Sequence, residues 1–269
     1  MMIIDVKQQI KNSNSKLLRA LPDVIIRLLE KIVHQHEMND ILLKYSDDIG
    51  VHFLPKILKE MNIKVKVEGI ENLPENGKCF FVANHPFGIV DGLVLTSIVS
   101  SRYGDFKAIG NDLFMLIPQL KPLIAAVNVF GTNKRDYFIE LDKVFNSNVP
   151  ITHFPAGLVS RMHNMKVIDS KWHKSFIHKT IECKRDIVPF YFYGRNSNLF
   201  YFTYLFRKSI GLKANLELAL LPHEFFNKRN KVIKVRIGKP ISYLQFHDKI
   251  NQLDAAQEVK SIVYSLGNK

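Results

Sequence analysis

Short apolar runs with strand character alternate along this chain with segments whose apolar residues recur at helical spacing. The runs Cys79–Ala83, Ile151–Phe154 and Ile187–Tyr193 are each followed by polar, Pro or Gly residues, and the helical patterns Leu93–Ser101 and Lys174–Glu182 lie between them. Strands that alternate with helices are typical of the α/β class. We therefore predict a mixed, largely parallel sheet flanked by helices, preceded by an N-terminal amphipathic helical segment.

The remaining elements follow from the same periodicities. Val65, Val67 and Ile70 alternate with polar residues and predict an edge strand. Further strands are predicted at Phe106–Ile109, Ala125–Phe130, Leu216–Leu221 and Lys231–Ile237, and further helices at Tyr137–Phe145 and Ala255–Leu266. Carboxyl ends of strands build the site in such sheets, so the segments after the strands are where functional side chains are expected.

Residues 1–60 carry two helical patterns in which basic residues separate the apolar ones. The first pattern runs from Lys16 to Val33, and Pro22 within it predicts that the helix starts or kinks there. The second runs from Ile41 to Leu58 and is interrupted by Gly and Pro. Basic amphipathic segments of this kind lie in a membrane interface or pack on the rest of the protein, and both alternatives stay open at this point.

Composition limits the possible partners. The 269 residues are 46% hydrophobic, which is ample for a core, and 38 Lys and Arg against 25 Asp and Glu give a net charge of +13. Such an excess favours anionic lipid headgroups, an acidic protein or nucleic acid, although a merely basic soluble protein is the alternative. Nucleic acid is not expected, because zinc-finger spacing, basic heptads and aromatic RNA-binding signatures are missing. Cys79 and Cys183 provide neither a disulfide framework nor a metal-ligand spacing, so no metal site is expected.

The segment Phe80–Gly92 is the strongest candidate for chemistry. His85 follows a predicted strand, and a histidine is the side chain best suited to take a proton near neutral pH. Asp91 lies six residues further, across a Pro/Gly turn, and can fold back to hold the ring in one tautomer. The alternative interpretation is a buried histidine in a loop, followed by an aspartate that caps a helix.

Asn84-His85, followed by Asp91, resembles the His-Asp signature of the glycerolipid acyltransferase family, of the lysophosphatidic-acid acyltransferase type. The block Phe154–Arg161 (Phe-Pro-Ala-Gly-Leu-Val-Ser-Arg) is similar to the Phe-Pro-Glu-Gly-Thr-Arg block of that family, and Ile187–Phe190 resembles its later Val-Pro block. The matches occur in the order of the family and cover the chain from about residue 64 to about residue 241.

Two departures from the pattern stand out. Five residues separate His85 from Asp91 where the family has four, and Gly88 can absorb the extra one because glycine tolerates positive φ. Ala156 stands where the family has Glu, which weakens the case for a plain glycerol phosphate as acceptor. The Asn-His-Pro and Asp-Gly pairs are similar to a divergent bacterial branch described as hemolysin-like or as acting in aminolipid synthesis.

The resemblance implies that a fatty acyl group moves from a thioester to an acceptor hydroxyl. His85 would remove the hydroxyl proton, Asp91 would orient the imidazole, and no metal or bound cofactor would take part. Substrate-binding roles are implied for Asn84, Gly88, Lys134, Arg135, Phe154, Pro155, Gly157, Ser160 and Arg161. Within that set, the Gly157 turn would approach an oxyanion and the arginines would contact acceptor anions, although a surface arginine and a solvated basic pair are the plainer interpretations.

The implied enzyme has residues 1–60 as an amphipathic helical segment and 61–269 as the acyltransferase catalytic domain. Its acyl donor would be acyl-carrier protein or acyl-coenzyme A, and its acceptor would be a lyso-lipid. It would work as a peripheral protein on the anionic surface of the cytoplasmic face of the inner membrane. Two alternatives are N-acylation of an amino-acid lipid headgroup and a catalytically silent homologue that binds lipid or carrier protein. Asp169 and Trp172, after the Phe-Pro block, are interpreted as structural.

Overall fold

A computed structural model of the protein describes residues 2–13, 16–127, 134–212, 215–247 and 251–268. Its strands are β1 (Lys64–Glu68), β2 (Cys79–Ala83), β3 (Lys107–Asn111), β4 (Ile124–Val127), β5 (Ile151–His153), β6 (Arg161–His163), β7 (Lys166–Ile168), β8 (Asp186–Tyr193) and β9 (Val232–Ile237). Its helices are α1 (Val6–Lys11), α2 (Lys16–Arg19), α3 (Asp23–Ile32), α4 (Gln35–Lys44), α5 (Phe53–Glu60), α6 (Ile89–Tyr103), α7 (Lys134–Asn146), α8 (Ser175–Glu182), α9 (Asn198–Ser209), α10 (Leu221–Phe226) and α11 (Gln252–Ser265). Short 3₁₀ helices occupy Gly50–His52, Ile70–Asn72, Asp112–Leu116, Lys121–Leu123, Leu216–Leu220, Tyr243–Phe246 and Leu266–Asn268.

Seven of the described strands form one sheet in the order β1-β9-β8-β2-β5-β3-β4. Neighbours pair in parallel except β8 and β9, which are antiparallel. The strands β6 and β7 form a separate antiparallel pair. The predicted mixed, largely parallel α/β fold is confirmed, and so is the position of β1 at the edge of the sheet.

The central strand β2 is buried at all five positions because helices cover both faces of the sheet. Successive side chains of a strand point to opposite faces. Phe81 and Ala83 therefore enter one hydrophobic cluster, with α4, α5 and α6, while Phe80 and Val82 enter a second cluster, with α8 and α11. This double anchoring fixes the position at which β2 ends, and the polar residues that follow it come out at one edge of the sheet.

The N-terminal helices differ in how they pack. α3 begins directly after Pro22, where the sequence predicts a start or kink, and exposes part of its apolar face. α4 and α5 instead contribute Leu42, Phe53 and Leu54 to the same core cluster as the sheet. The division of the chain at residue 60 stays a prediction, and this hydrophobic cluster contains residues from both sides of it.

One predicted strand is wrong. The residues predicted as a strand at Leu216–Leu221 form a 3₁₀ helix that leads into α10. Pro222 lies in the first turn of α10, where the backbone N–H that proline lacks would have no partner in the helix, and Glu217 turns inward to meet the buried Arg161 and the half-buried Arg207. The sequence analysis does not predict the aromatic-rich α9, although Ser197 caps it by accepting a hydrogen bond from the N–H of Phe200.

Of the predicted strand Ala125–Phe130, residues 128–130 lie outside the described residues. Among the described residues, no helix combines the length and the hydropathy needed to cross a bilayer.

Candidate active site

Two parallel strands deliver the central residues of the site to one edge of the sheet. His85 follows β2 by two residues and Phe154 follows β5 directly, and β2 and β5 are hydrogen-bonded neighbours. The His85 imidazole stacks on the Phe154 ring, with 3.9 Å between the ring centroids and an angle of 21° between the planes. Phe154 therefore limits the rotation of the imidazole.

Asp91 lies behind the imidazole. Its Oδ1 is 3.0 Å from His85 Nδ1, and the carboxylate is fully buried. The contact does not have the alignment of a regular hydrogen bond, so it is a close approach of Nδ1 to the carboxylate with bent geometry. Asp91 is held by the backbone N–H of Phe87 at 2.9 Å and that of Gly92 at 3.0 Å, in the first turn of α6, where the helix dipole favours a negative charge.

The opposite ring nitrogen of His85 has no such partner. No hydrogen bond from the described residues reaches Nε2, and the side chain is 17% exposed. An imidazole that faces a carboxylate at Nδ1 and keeps Nε2 without a hydrogen-bond partner among the described residues is arranged to accept a proton at Nε2. The structure therefore brings His85 and Asp91 together as the sequence predicts.

Gly88 makes this contact possible across five intervening residues. It has φ +87° and ψ −98°, a conformation that residues with a Cβ rarely adopt, and it precedes α6 as its N-cap. A Cβ at this position would lie 2.8 Å from Leu221 Cδ2 and 3.2 Å from Val159 Cγ2. Gly88 therefore shapes the turn between His85 and Asp91, and its predicted role in substrate binding stays a prediction.

Asp169 holds the peptide of His85 from the other side. Its Oδ1 accepts the His85 N–H at 3.2 Å and the Ser160 hydroxyl at 2.5 Å, and its Oδ2 accepts Trp172 Nε1–H at 2.9 Å. Ser160 in turn donates its backbone N–H to the carbonyl of His85 at 2.8 Å. Burial raises the pKa of Asp169, and these donors act against that shift. Both the N–H and the C=O of His85 are therefore fixed by hydrogen bonds.

Asn84 pins the end of β2 to β8. Its side-chain amide donates to the carbonyl of Phe192 at 3.0 Å and accepts the N–H of Phe192 at 2.7 Å. Both ends of this buried amide are engaged with backbone, which supports the strand end that carries His85.

Asp169→Asn is expected to lower kcat by about 10-fold to 100-fold while KM changes little, because misplacement of a proton acceptor acts mainly on the chemical step. An asparagine has one acceptor oxygen in place of two, so it cannot accept from His85 and Ser160 at one oxygen and from Trp172 Nε1–H at the other, and the support of the His85 backbone is weakened. Ser160→Ala, which keeps the backbone N–H to His85, should cost less than Asp169→Asn. Steady-state kinetics with thermal denaturation of both variants measure this, and an unchanged kcat in a folded Asp169→Asn variant would contradict it.

Comparison with known proteins identifies the family. A family model described as "Acyltransferase" matches residues 9–268. The chain belongs to this acyltransferase family. Two relatives, the lyso-glycine lipid O-acyltransferases of Phocaeicola vulgatus and Bacteroides thetaiotaomicron, are each 38% identical to it over 265 residues, which cover 98% of this chain and 95% and 97% of theirs. The crystal structure of the 1-acyl-sn-glycerophosphate acyltransferase PlsC from Thermotoga maritima is 18% identical, with a TM-score of 0.48 and coverage of 90% of this chain and 96% of that one.

In this acyltransferase, Arg161 has an internal partner. Its guanidinium lies 3.0 Å from the fully buried Glu217, donates to the carbonyl of Val159, and lies over the ring of Phe200. Arg207 contacts the other oxygen of Glu217 at 2.8 Å. Burial lowers the pKa of Arg161, and Glu217 opposes that shift. In the structure the guanidinium of Arg161 is directed at Glu217. Its role in binding the acceptor stays a prediction.

The turn after β5 uses its polar backbone groups internally. The N–H of Gly157, which has φ +67°, donates to the carbonyl of Phe154 at 2.9 Å, and the carbonyl of Pro155 accepts from the N–H of His173 at 3.0 Å. Ala156 is buried in the second hydrophobic cluster. The N–H of Gly157 is therefore engaged within the turn, and the role of this turn toward a substrate stays a prediction.

Lys134 and Arg135 begin α7. Their side chains lie outside what the structure describes, and their predicted contact with an acceptor anion is untested. Within the described ranges, no three His, Cys, Asp or Glu side chains lie close enough together to hold a metal ion. The expectation that the enzyme works without a bound cofactor stays a prediction.

The sequence pattern does not place His153 at the site, and it indicates Lys228 only as part of a basic stretch from Lys228 to Lys239. Burial lowers the pKa of His153 to about 3, with smaller contributions from His173 and His85, so this histidine stays neutral beside the site. Lys228 lies with its ammonium 5.0 Å from the ring centre of Phe87 and donates to the carbonyl of Arg195 at 3.1 Å. The only sequence signal for His153 is its place at the end of a strand, directly before Phe154.

Proposed function

We propose that this acyltransferase moves a fatty acyl group from an acyl thioester to the hydroxyl of a lyso-lipid, and that the acceptor carries an amino-acid headgroup. The close contact of His85 Nδ1 with Asp91 is the observation that carries the proposal. The two lyso-glycine lipid O-acyltransferases, similar over nearly the whole chain, support both the acceptor class and the formation of an ester.

The proposed reaction is a direct transfer with His85 as general base. The acceptor oxygen attacks the thioester carbonyl carbon while His85 Nε2 takes the hydroxyl proton. The C–O bond forms, the C–S bond breaks, and the imidazolium returns the proton to the leaving thiolate. The negative charge of Asp91 stabilises the imidazolium in between.

The two cysteines support a mechanism without an acyl-enzyme. Both are buried, and burial raises the pKa of Cys79 to about 12 and also raises the pKa of Cys183. A thiol with a raised pKa is a poor nucleophile near neutral pH, since the thiolate is the reactive form.

We also propose the source of the acyl group and the cellular location of the enzyme. The donor is acyl-carrier protein or acyl-coenzyme A, and the enzyme works as a peripheral protein at the cytoplasmic face of the inner membrane. The net charge of +13 supports contact with an anionic lipid surface, where a lyso-lipid acceptor would be found.

Purified protein mixed with acyl-carrier protein or acyl-coenzyme A donors and a panel of lyso-lipids tests the proposal, with mass spectrometry of the products. We expect a lyso-aminolipid to gain one acyl chain in a bond that mild alkaline methanolysis cleaves. A product that survives this treatment would show an amide and hence N-acylation. Failure with every donor and acceptor pair, by protein that still binds vesicles, would favour a catalytically silent homologue.

A further inference from the structure

The helix α9 is apolar on two opposite sides. Phe200, Tyr201 and Tyr204 face the protein and are buried, while other apolar residues of the helix are exposed. Those exposed on the outer side, at a spacing of three to four residues, are Leu199, Phe202, Leu205, Phe206 and the C-cap residue Ile210, and we call them the outer face of α9. Phe202 is 66% exposed and Phe206 is 56% exposed, and their rings stack with 6.2 Å between the ring centroids. An exposed apolar patch of this kind marks an interaction site.

The charged residues of the stretch that contains α9 have one sign. No Asp or Glu occurs between Arg195 and Leu216, whereas that stretch contains two arginines and two lysines. Lys208, in the last turn of α9, and Arg195, three residues before the helix begins, are both exposed. The first acid that follows, Glu217, is fully buried and already paired with two arginines. An apolar helix face on a stretch of chain with exposed cations and no acids complements an anionic lipid surface.

The outer face lies on a helix that borders the candidate active site. Phe200 and Tyr201, on the inner side of α9, pack in one hydrophobic cluster with Val159. Val159 precedes Ser160, whose N–H binds the carbonyl of His85. The helix α9 is therefore linked to His85 through Val159 and Ser160, so a membrane bound by its outer face would lie close to the candidate active site.

We propose that the outer face of α9 enters the boundary between headgroups and acyl chains of an anionic bilayer and holds the active site against it. This membrane contact depends on the proposed function, because the lyso-lipid acceptor of that reaction resides in a bilayer. A second copy of the chain is the weaker occupant, since a symmetric contact would place Arg195 and Lys208 of one copy against those of the other.

The helix α3 is the comparison surface, because its basic amphipathic pattern suggests a membrane role from sequence alone. It exposes Val24, Ile25 and Leu28. It also carries Asp23 and Glu30, and Asp23 pairs with Lys7. Acids on the helix weaken its attraction to anionic headgroups, so α9 is expected to make the larger contribution.

Vesicle co-sedimentation of the full chain tests the proposal, with vesicles of phosphatidylglycerol and phosphatidylcholine and with phosphatidylcholine alone. We expect wild type to bind the anionic vesicles more tightly, and the double variant Phe202→Ser, Phe206→Ser to bind at least about 30-fold more weakly, because it loses two insertable rings. A Val24→Ser, Leu28→Ser variant should lose clearly less. Leu244→Ser, at another residue that is 62% exposed, should bind like wild type. Circular dichroism confirms that each variant is folded.

Three results would overturn the proposal: wild type that does not bind anionic vesicles, a folded double variant that binds like wild type, or a wild-type dimer that the double variant converts to monomers while neither binds lipid. Vesicle binding needs no turnover, so its outcome is separate from that of the acyl-transfer assay. A chain that binds through α9 but transfers no acyl group would refute the proposed function alone. A chain that acylates detergent-dispersed lyso-lipid but never binds vesicles would refute this surface alone.

Discussion

His85→Ala is expected to lower kcat for acyl transfer by about 10²–10⁴-fold, the usual value of a positioned proton acceptor. The variant loses the ring nitrogen Nε2 that is proposed to take the proton, whereas the backbone bonds of residue 85 to Ser160 and Asp169 can persist. We therefore expect vesicle binding to be unchanged and the melting temperature to stay within a few degrees of wild type. Initial rates with a saturating acyl thioester, together with thermal denaturation, measure both quantities.

His178→Ala is the matched control for that experiment. This histidine is 60% exposed and contacts Glu182 at 3.6 Å on the surface of α8. Its replacement should leave the rate of acyl transfer at the wild-type level. Equal rates for wild type and His85→Ala across several thioester donors would remove the basis for the proposed chemistry.

Glu217→Ala is expected to destabilise the protein by about 3–5 kcal/mol, because it leaves two buried or half-buried arginines without their shared carboxylate. Glu217 joins Arg161, at the start of β6, to Arg207 in α9, and the carboxylate is fully buried. The loss should appear in urea denaturation as a lower midpoint of unfolding with a similar slope.

The control is Glu140→Ala, which removes an exposed carboxylate that pairs with Lys143 at 2.7 Å on α7. Exposed pairs of this kind are worth about 0–1 kcal/mol, so the unfolding midpoint should hardly move. If Glu217→Ala unfolds at the same urea concentration as Glu140→Ala, the buried cluster has no structural importance. Arg161 would then be free for the substrate role that the sequence suggests.

The sequence predicts the fold class and the His-Asp pair because both depend on local patterns. The burial of β2 follows from a short apolar run, and the meeting of His85 with Asp91 follows from one turn at Gly88. The failure at Leu216–Leu221 has the opposite origin. There an alternating apolar pattern favours a strand, but Glu217 is drawn inward by an arginine 56 positions away.

The support of the candidate site could not be predicted for the same reason. Asn84 bonds the backbone of Phe192 across 108 positions, and Asp169 reaches the N–H of His85 across 84. A single sequence shows which side chains can form such bonds but does not show which of them meet. The sequence accordingly indicates no more than a structural role for Asp169, and only the folded chain places its carboxylate on the peptide that carries the imidazole.

A double-mutant cycle on His85 and Asp91 tests the central claim most directly. If the two side chains act as one unit, His85→Ala removes the function that Asp91 supports, and adding Asp91→Asn to it should lower kcat no further. Asp91→Asn alone should cost a large part of what His85→Ala costs. Losses that add up, with the double variant slower than His85→Ala by the full factor of Asp91→Asn, would contradict the account.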